Sequence, residues 1–335
     1  MRPGTVCVTG GAGFLGSWCV KLLLERGYTV RTTTRDPAKA DFLRRLPRAE
    51  EALTIIPGVD LLQPGAFNDA FAGCSAVMHT AAPYVLRGAT RDDLVPPAVD
   101  GTLNVLSSCT QLGVRKVVLT SSITSLNATF GSKPADHVYT DADWLSEDFL
   151  IDKQAWYPLA KLLGEKAAWA ASKQPGCPWK LAVMLPTQIF GPMLAGQPHL
   201  NTSSGSVAAF VNGGLPKIPN AHMSCVDVRD VAEAHVRALD SDTGWGRRFV
   251  LVGSTPTFTE VAELVRTALP ENLKARVPTE LMTELPPTMF GAPPPAAALY
   301  DCSPAIELLG LTFTPLDKTI DDTIEALIPH AAVGV

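Results

Sequence analysis

The sequence predicts an α/β fold built on a doubly wound parallel sheet. Three observations predict it. The β-type run Thr5–Thr9 leads directly into a glycine turn, Gly10 to Gly16, and then into a helically patterned stretch from Ser17 to Arg26. Strand-like and helix-like segments go on alternating through the first half of the chain, the pattern that yields parallel βαβ units. The 335 residues, 46% hydrophobic and 18% charged, suffice for a large buried core.

The elements come in order. Thr29–Arg35 is rich in β-branched residues and reads as the second strand. A charged helix is expected over Lys39–Leu46, a strand over Leu53–Asp60, and a short helix over Ala66–Phe71 closed by Gly73. Ala76–Pro83 is the next strand. A long helix starts at Asp92 or Val99 and runs to Leu112, where Gly113 ends it. Lys116–Ser122 is a continuous apolar run suited to a buried parallel strand. Asn127–Ala155 is irregular, and a helix covers Gln154–Ser172. Trp179–Pro186 is a strand, and Thr187–Ser224 is mostly loop with a helix near Ser206–Asn212. Helices are expected at Val228–Leu239, Thr259–Leu269 and Leu316–Leu327, and a strand at Arg248–Val252. Prolines 286, 287, 293, 294 and 295 make Met282–Ala298 a loop or lid. The organisation expected is a dinucleotide-binding unit over 1–186, with returning segments at about 225–253. A smaller, loop-rich substrate domain takes 187–224 and 254–335.

Several functional classes are excluded early. The net charge of −5, without a basic stripe, argues against nucleic acid. No apolar run approaches a membrane span, and a strand opening at Thr5 leaves no room for a leader, so a soluble cytoplasmic protein is expected. The seven cysteines are scattered without CxxC spacing, which suggests neither disulfides nor zinc. The six histidines form no HxxxH pair and no GxSxG elbow is present, so no metal site and no hydrolase is expected.

What remains is chemistry at the strand ends. In a strand–turn–helix unit the glycines allow a tight turn, close approach to a pyrophosphate and close helix packing, while the helix N-terminus attracts the phosphates. Gly11, Gly13 and Gly16 make GxGxxG, and Gly10, Gly13 and Gly16 make GxxGxxG. Tyr157 and Lys161 are i and i+4 on one helix face, so both reach one ligand. A nearby ammonium favours the phenolate and brings the tyrosine into acid–base range. At the end of the Lys116 strand, Ser121 and Ser122 each offer a hydroxyl to a carbonyl oxygen, and sequence physics does not separate them. Arg35 stands where NAD-selective proteins usually place a carboxylate, about twenty residues beyond the glycine turn. Its planar fork of donors suits a 2′-phosphate, which points to NADPH rather than NADH. Lys39 adds positive charge nearby.

TGGAGFLG, VRTTTRDP, VLTSSITSLN, YPLAK and VDVRDVAEAH together resemble the extended short-chain dehydrogenase/reductase superfamily. Within it the chain is most similar to the dihydroflavonol reductase, cinnamoyl-CoA reductase and anthocyanidin reductase group, including microbial aldehyde and ketone reductases. The likeness runs from Thr5 to about Leu327. It implies a Rossmann-type sheet and an NADPH-dependent carbonyl reductase with Ser122, Tyr157 and Lys161 as the catalytic set. It also implies a cofactor site formed by Thr9, Gly10, Gly13, Phe14, Leu15, Gly16, Arg35, Lys39, Asp60, Leu61, Thr80, Ala81, Ala82, Pro186 and Thr187, with Tyr157 and Lys161. Asn127, Tyr84, Gln188 and Met223 are the expected substrate contacts. A second basic position found in plant reductases holds Phe42 here, QAWYPLAK departs from the cinnamoyl-CoA reductase signature, and Ser303-Pro-Ala305 replaces the usual SKA. Two alternatives stand beside this reading. One is a nucleotide-sugar epimerase or dehydratase, or a 3-hydroxysteroid dehydrogenase, on the same scaffold; the other is a non-catalytic NADPH-binding regulator. The expected partner is a small carbonyl compound, and the chain is read as a monomer or homodimer.

Overall fold

The computed structural model describes residues 4–82, 89–127, 133–134, 136–198, 202–212, 214–283 and 297–331. The chain opens with β1 (Thr5–Thr9), α1 (Phe14–Glu25), β2 (Thr29–Thr34), α2 (Ala49–Ala52), β3 (Leu53–Pro57), α3 (Asn68–Phe71) and β4 (Ala76–His79). Next come α4 (Arg91–Gln111), β5 (Lys116–Thr120), β6 (Val138–Tyr139), α5 (Glu147–Asp152), α6 (Trp156–Ser172), β7 (Lys180–Pro186), β8 (Gln188–Phe190) and α7 (Thr202–Val211). The remainder is β9 (Cys225–Asp227), α8 (Val228–Asp240), β10 (Arg247–Leu251), α9 (Phe258–Ala268), α10 (Glu271–Lys274), β11 (Leu299–Tyr300), α11 (Ser303–Leu309) and α12 (Leu316–Ala331).

Seven strands form one parallel sheet in the order β10-β7-β5-β4-β1-β2-β3. The order reverses direction between β1 and β4, and in such sheets ligands bind outside the strand ends at that switch point. Alternation along β1 divides the core. Val6 and Val8 join a cluster with Leu23 of α1 and Val231 of α8, whereas Cys7 joins Val77, Val105 and Leu106 on the side of α4. This is the period-2 side-chain pattern of a strand buried on both faces. A third cluster gathers Val207, Phe210, Val261, Val265, Ile320 and Ile324 from α7, α9 and α12. Its attachment is partly ionic. Arg229 donates to Asp227 Oδ2 at 2.6 Å and to Asp322 Oδ2 at 2.5 Å, and Thr319 donates to Asp227 Oδ2 at 2.9 Å.

Several local expectations are corrected. Pro37–Arg45 is a 3-10 helix, capped by Asp36, whose carboxylate accepts from the Ala38 N–H at 3.0 Å. The strand at Leu53 ends at Pro57 because Gly58, at φ 72°, leaves the β region. Of the two starts expected for the long helix the earlier one holds, with the helix beginning at Arg91, ahead of Pro96 and Pro97. A proline lacks the N–H that bonds the carbonyl one turn back, and a capping box between Thr90 and Asp93 secures the first turn. The irregular stretch contains α5, and the loop after β7 contains β8, which pairs with β9. The next helix begins at Thr202 rather than Ser206.

Candidate active site

The glycine turn closes on itself by backbone geometry. Gly10 has φ 71°, which favours glycine. The Gly13 N–H donates to the Gly10 carbonyl at 2.9 Å, and the Ser17 N–H donates to the Gly13 carbonyl at 2.9 Å. Gly13 is the N-cap of α1, and no side chain caps this helix. The first-turn N–H groups therefore face a site where an anion supplies what a capping side chain would. A Cβ at Gly16 would stand 2.4 Å from the Gly10 oxygen, so the turn and the helix meet at backbone contact. This cradle fits a pyrophosphate. Phe14 and Leu15 begin α1 and are buried in its apolar cluster.

The end of β4 is tied to the end of β1. Thr80 Oγ1 donates to the Thr9 carbonyl at 2.7 Å, and the Ala81 N–H donates to Thr9 Oγ1 at 3.2 Å. Thr9 Oγ1 also shares a 2.9 Å bond with His79 Nδ1. Burial pushes the His79 imidazole down to about 3, so it stays neutral. The Leu61 carbonyl accepts from Asn104 Nδ2 at 3.1 Å, and the Leu61 side chain lies against Gly101 of α4.

On the other side of the turn, Arg35 and Lys39 are exposed, and neither side chain has a partner among the described residues. The adjacent Asp36 is committed to its cap, which leaves the arginine as the charged group at the end of β2. Phe42 is buried in the core beside α1, so the second basic position is occupied by a packing residue. Asp60 Oδ1 accepts from the Leu62 N–H at 3.0 Å and is exposed.

Tyr157 lies in the first turn of α6 and Lys161 one turn later, with Lys161 Nζ 5.9 Å from the Tyr157 ring centre. Burial lowers the Lys161 ammonium to about 8, and the Glu165 carboxylate one turn further opposes that fall. A small cavity takes in Leu61, Ala81, Ala82, Ser121, Tyr157 and Lys161. Ser121 and Ser122 come directly after β5 and are both buried, but their hydroxyls differ. Ser121 Oγ donates to Glu165 Oε2 at 2.7 Å, whereas Ser122 Oγ accepts from the Thr124 N–H at 3.2 Å.

The expected substrate contacts are dispersed. Asn127 is buried and donates from Nδ2 to the Tyr300 hydroxyl at 2.9 Å. Gln188 is exposed on β8. Met223 is packed in the third cluster. Pro186 ends β7 in register with Leu251, and Thr187 Oγ1 donates to the Ser224 carbonyl at 2.7 Å. Tyr84 lies outside the described residues.

Two features escaped sequence reasoning. Glu165 is fully buried and bonded to Arg248, a partner distant in the chain. Gln197, 5% exposed, reaches across to the glycine turn, where its Nε2 donates to the Ala12 carbonyl at 3.5 Å and its Oε1 has no partner among the described residues. The helical i, i+4 spacing of Lys161 and Glu165 was a signal for the first; no local signal pointed to the second.

A family model described as the NAD dependent epimerase/dehydratase family matches residues 6–253. The chain belongs to this family. Among curated proteins, the cinnamoyl-CoA reductase CAD2 of Medicago truncatula is 36% identical over 332 residues, covering 96% of this chain and 95% of that protein. Dihydroflavonol 4-reductase of Gerbera hybrida is 34% identical over 285 residues, covering 80% of this chain and 74% of that protein. Among solved structures, Gre2 of Candida albicans in complex with NADPH superposes with a TM-score of 0.84 at 28% identity, covering 98% of this chain and 99% of that one. The extended short-chain dehydrogenase/reductase resemblance read from the sequence and the Rossmann-like sheet agree with these matches.

Proposed function

We propose that the chain reduces the carbonyl group of an aldehyde or ketone, with Tyr157 as proton donor. It is an NADP-dependent oxidoreductase, a class supported by the relatives named as reductases and by the neighbour crystallised with NADPH. The observation that carries the finer reading is the meeting of Tyr157 and Lys161 with the ends of β4 and β5 in one cavity.

The glycine turn and the first turn of α1 would hold the pyrophosphate, and Arg35 with Lys39 the 2′-phosphate. Bound NADPH supplies the hydride for the carbonyl carbon. The protein's own task is the oxygen. A hydroxyl has one proton to give. Ser121 spends its proton on Glu165, whereas Ser122 accepts at its oxygen and keeps its proton for the substrate. This favours Ser122 as the serine donor. Tyr157 shares the carbonyl oxygen and passes it a proton as negative charge develops there. Lys161 stabilises the phenolate left behind. Donors fixed before the reaction cost no reorganisation during it, which is where such sites gain most of their rate.

The test compares Tyr157→Phe with the wild type, following NADPH oxidation with aldehydes, β-keto esters, dihydroflavonols and hydroxycinnamoyl thioesters, with NADH in parallel. The expected result is near-normal NADPH binding and loss of turnover. Wild-type turnover in Tyr157→Phe overturns the mechanism. A protein that copurifies with NAD and ignores NADPH favours the epimerase reading instead.

A further inference from the structure

Glu165 lines the cavity and pairs with Arg248 behind it, and the reaction proposed above gives this pair no step. The Glu165 side chain is 0% exposed and that of Arg248 5% exposed. Burying two charges is costly unless each is fully bonded, and here each is. Arg248 Nε donates to Glu165 Oε1 at 2.6 Å, and its Nη2 donates to Glu165 Oε2 at 3.3 Å. Nη1 donates to the carbonyls of Asp141 and Asp143 at 3.0 and 2.5 Å. The guanidinium also lies 3.7 Å from the Trp144 ring centre. The remaining capacity of the carboxylate is directed at the serine loop. Oε2 accepts from Ser121 Oγ at 2.7 Å and from Ser125 Oγ at 2.8 Å, and Trp169 Nε1 donates to Oε1 at 3.2 Å.

These bonds bracket Ser122. Ser121 precedes it, and Ser125 is tied back to it, because the Ser125 N–H donates to the Ser122 carbonyl at 3.1 Å. Glu165 itself belongs to α6, the helix that carries Tyr157 and Lys161. One carboxylate therefore links the strand-end loop with the serine to the helix with the tyrosine and lysine.

We propose that Glu165, braced by Arg248, is the positioning residue of this site: it fixes the Ser122 loop against the Tyr157–Lys161 helix and sets a compensating charge one turn from Lys161. The proposal rests on the reading of Ser122, Tyr157 and Lys161 given above. It has two separable consequences. The first is geometric. A slack of about 1 Å between catalytic groups costs on the order of a hundredfold in rate, so loosening this link lowers kcat more than it changes KM. The second is electrostatic. Around Lys161 stand Tyr157 and Glu165 from α6, neutral His79 from β4, and uncharged Ala98 and Thr102 from α4, with Arg248 of β10 behind Glu165. Glu165 is the carboxylate that favours the Lys161 ammonium.

Removing one charge or the other has opposite consequences for Lys161. Glu165→Gln leaves the Arg248 cation uncompensated, so Lys161 gives up its proton at lower pH. Arg248→Met leaves the Glu165 anion uncompensated, so Lys161 keeps its proton to higher pH. Loss of packing alone would not move the two variants in opposite directions, and a kcat loss without a KM change separates positioning from the charge effect. The experiment tracks the Lys161 ammonium by NMR in the cofactor-free protein labelled with 15N-lysine, assigned with Lys161→Met, alongside kcat and KM profiles against pH. The NMR titration decides the point even if no carbonyl compound is turned over, so failure of the proposed reaction is told apart from failure of this proposal. Opposite displacements, with a fall of about ten- to hundredfold in kcat for Glu165→Gln, are the expected result. Displacements in the same direction, or none, overturn it. If either charge variant does not fold, Ser125→Ala decides. It loses the bonds to Glu165 and Arg248 without changing charge, and a lowered kcat with unchanged KM is expected. Wild-type kcat in Ser125→Ala overturns the proposal.

Discussion

Replacing Gly16 by alanine adds one methyl group at the tightest point of the glycine turn. Its carbon would stand 2.4 Å from the Gly10 oxygen, 2.9 Å from the Gly11 Cα and 2.9 Å from the Thr80 hydroxyl. Two of these three atoms are backbone, so the clash is relieved only by moving the turn away from α1. Overpacking of this kind costs about 1–3 kcal/mol. Alanine's better helix propensity returns about 1 kcal/mol. The net loss expected for Gly16→Ala is up to about 2 kcal/mol in the cofactor-free protein. Gly13 is different. A Cβ there meets only the Gly10 oxygen, at 3.2 Å, and its φ of −74° is open to alanine. Gly13→Ala should change stability by no more than about 0.5 kcal/mol while lowering NADPH affinity about tenfold, because the backbone can no longer come close to the pyrophosphate. Urea unfolding without cofactor reads the first quantity, and quenching of tryptophan fluorescence by NADPH reads the second. If Gly13→Ala is the more destabilised of the two variants, or binds NADPH like the wild type, this division of labour between the glycines is wrong.

Other parts of the molecule give further expected outcomes. Arg35→Ser removes an exposed side chain with no partner among the described residues. It should leave stability unchanged and weaken NADPH binding about tenfold or more, with NADH binding unaffected, as read by the same titration. The unfolded chain keeps a lysine proton up to the ordinary lysine range, whereas folded Lys161 releases it near 8. The unfolded state therefore binds more protons in that window, and this residue makes stability rise with pH from about 8 upward. Lys161→Met should abolish turnover, flatten that rise, and stabilise the protein at pH 7 by on the order of 1–3 kcal/mol, measured by urea unfolding. In the wild type, the rate should fall as pH passes through about 8. Arg229→Met strands the buried Asp227 carboxylate, which retains Thr319 and the N–H of residue 229. It should cost about 3 kcal/mol in unfolding experiments.

The parts of the molecule legible in the sequence are those encoded locally. β1, the glycine turn and α1 share one short stretch, and Tyr157 and Lys161 share one helical turn, so spacing alone brings them together. The parts that were not legible depend on distant partners. Ser121 and Ser122 are indistinguishable until the fold delivers Glu165 to the first of them. Gln197 meets Ala12 only through the loop after β8. The pairs β8–β9 and β6–β11 are too short for a period-2 pattern to register. Phe42 illustrates the reverse case. The likeness to plant reductases expects a cation at that position, and the packing against α1 explains why this chain places an aromatic ring there.

The place of β10 in the sheet bears on how the protein is made. Six of the seven sheet strands are complete by Pro186, and the edge strand, Arg247–Leu251, is supplied only after another stretch of chain. During synthesis the emerging amino-terminal portion thus holds β7 with an open edge and Glu165 without its cation. Arrival of Arg248 closes both at once, covering the edge and neutralising the carboxylate. A polypeptide truncated before β10 would carry the glycine turn, the tyrosine and the lysine and still lack a settled interior. Completion of the sheet edge and of this buried ion pair therefore waits on the chain through Leu251.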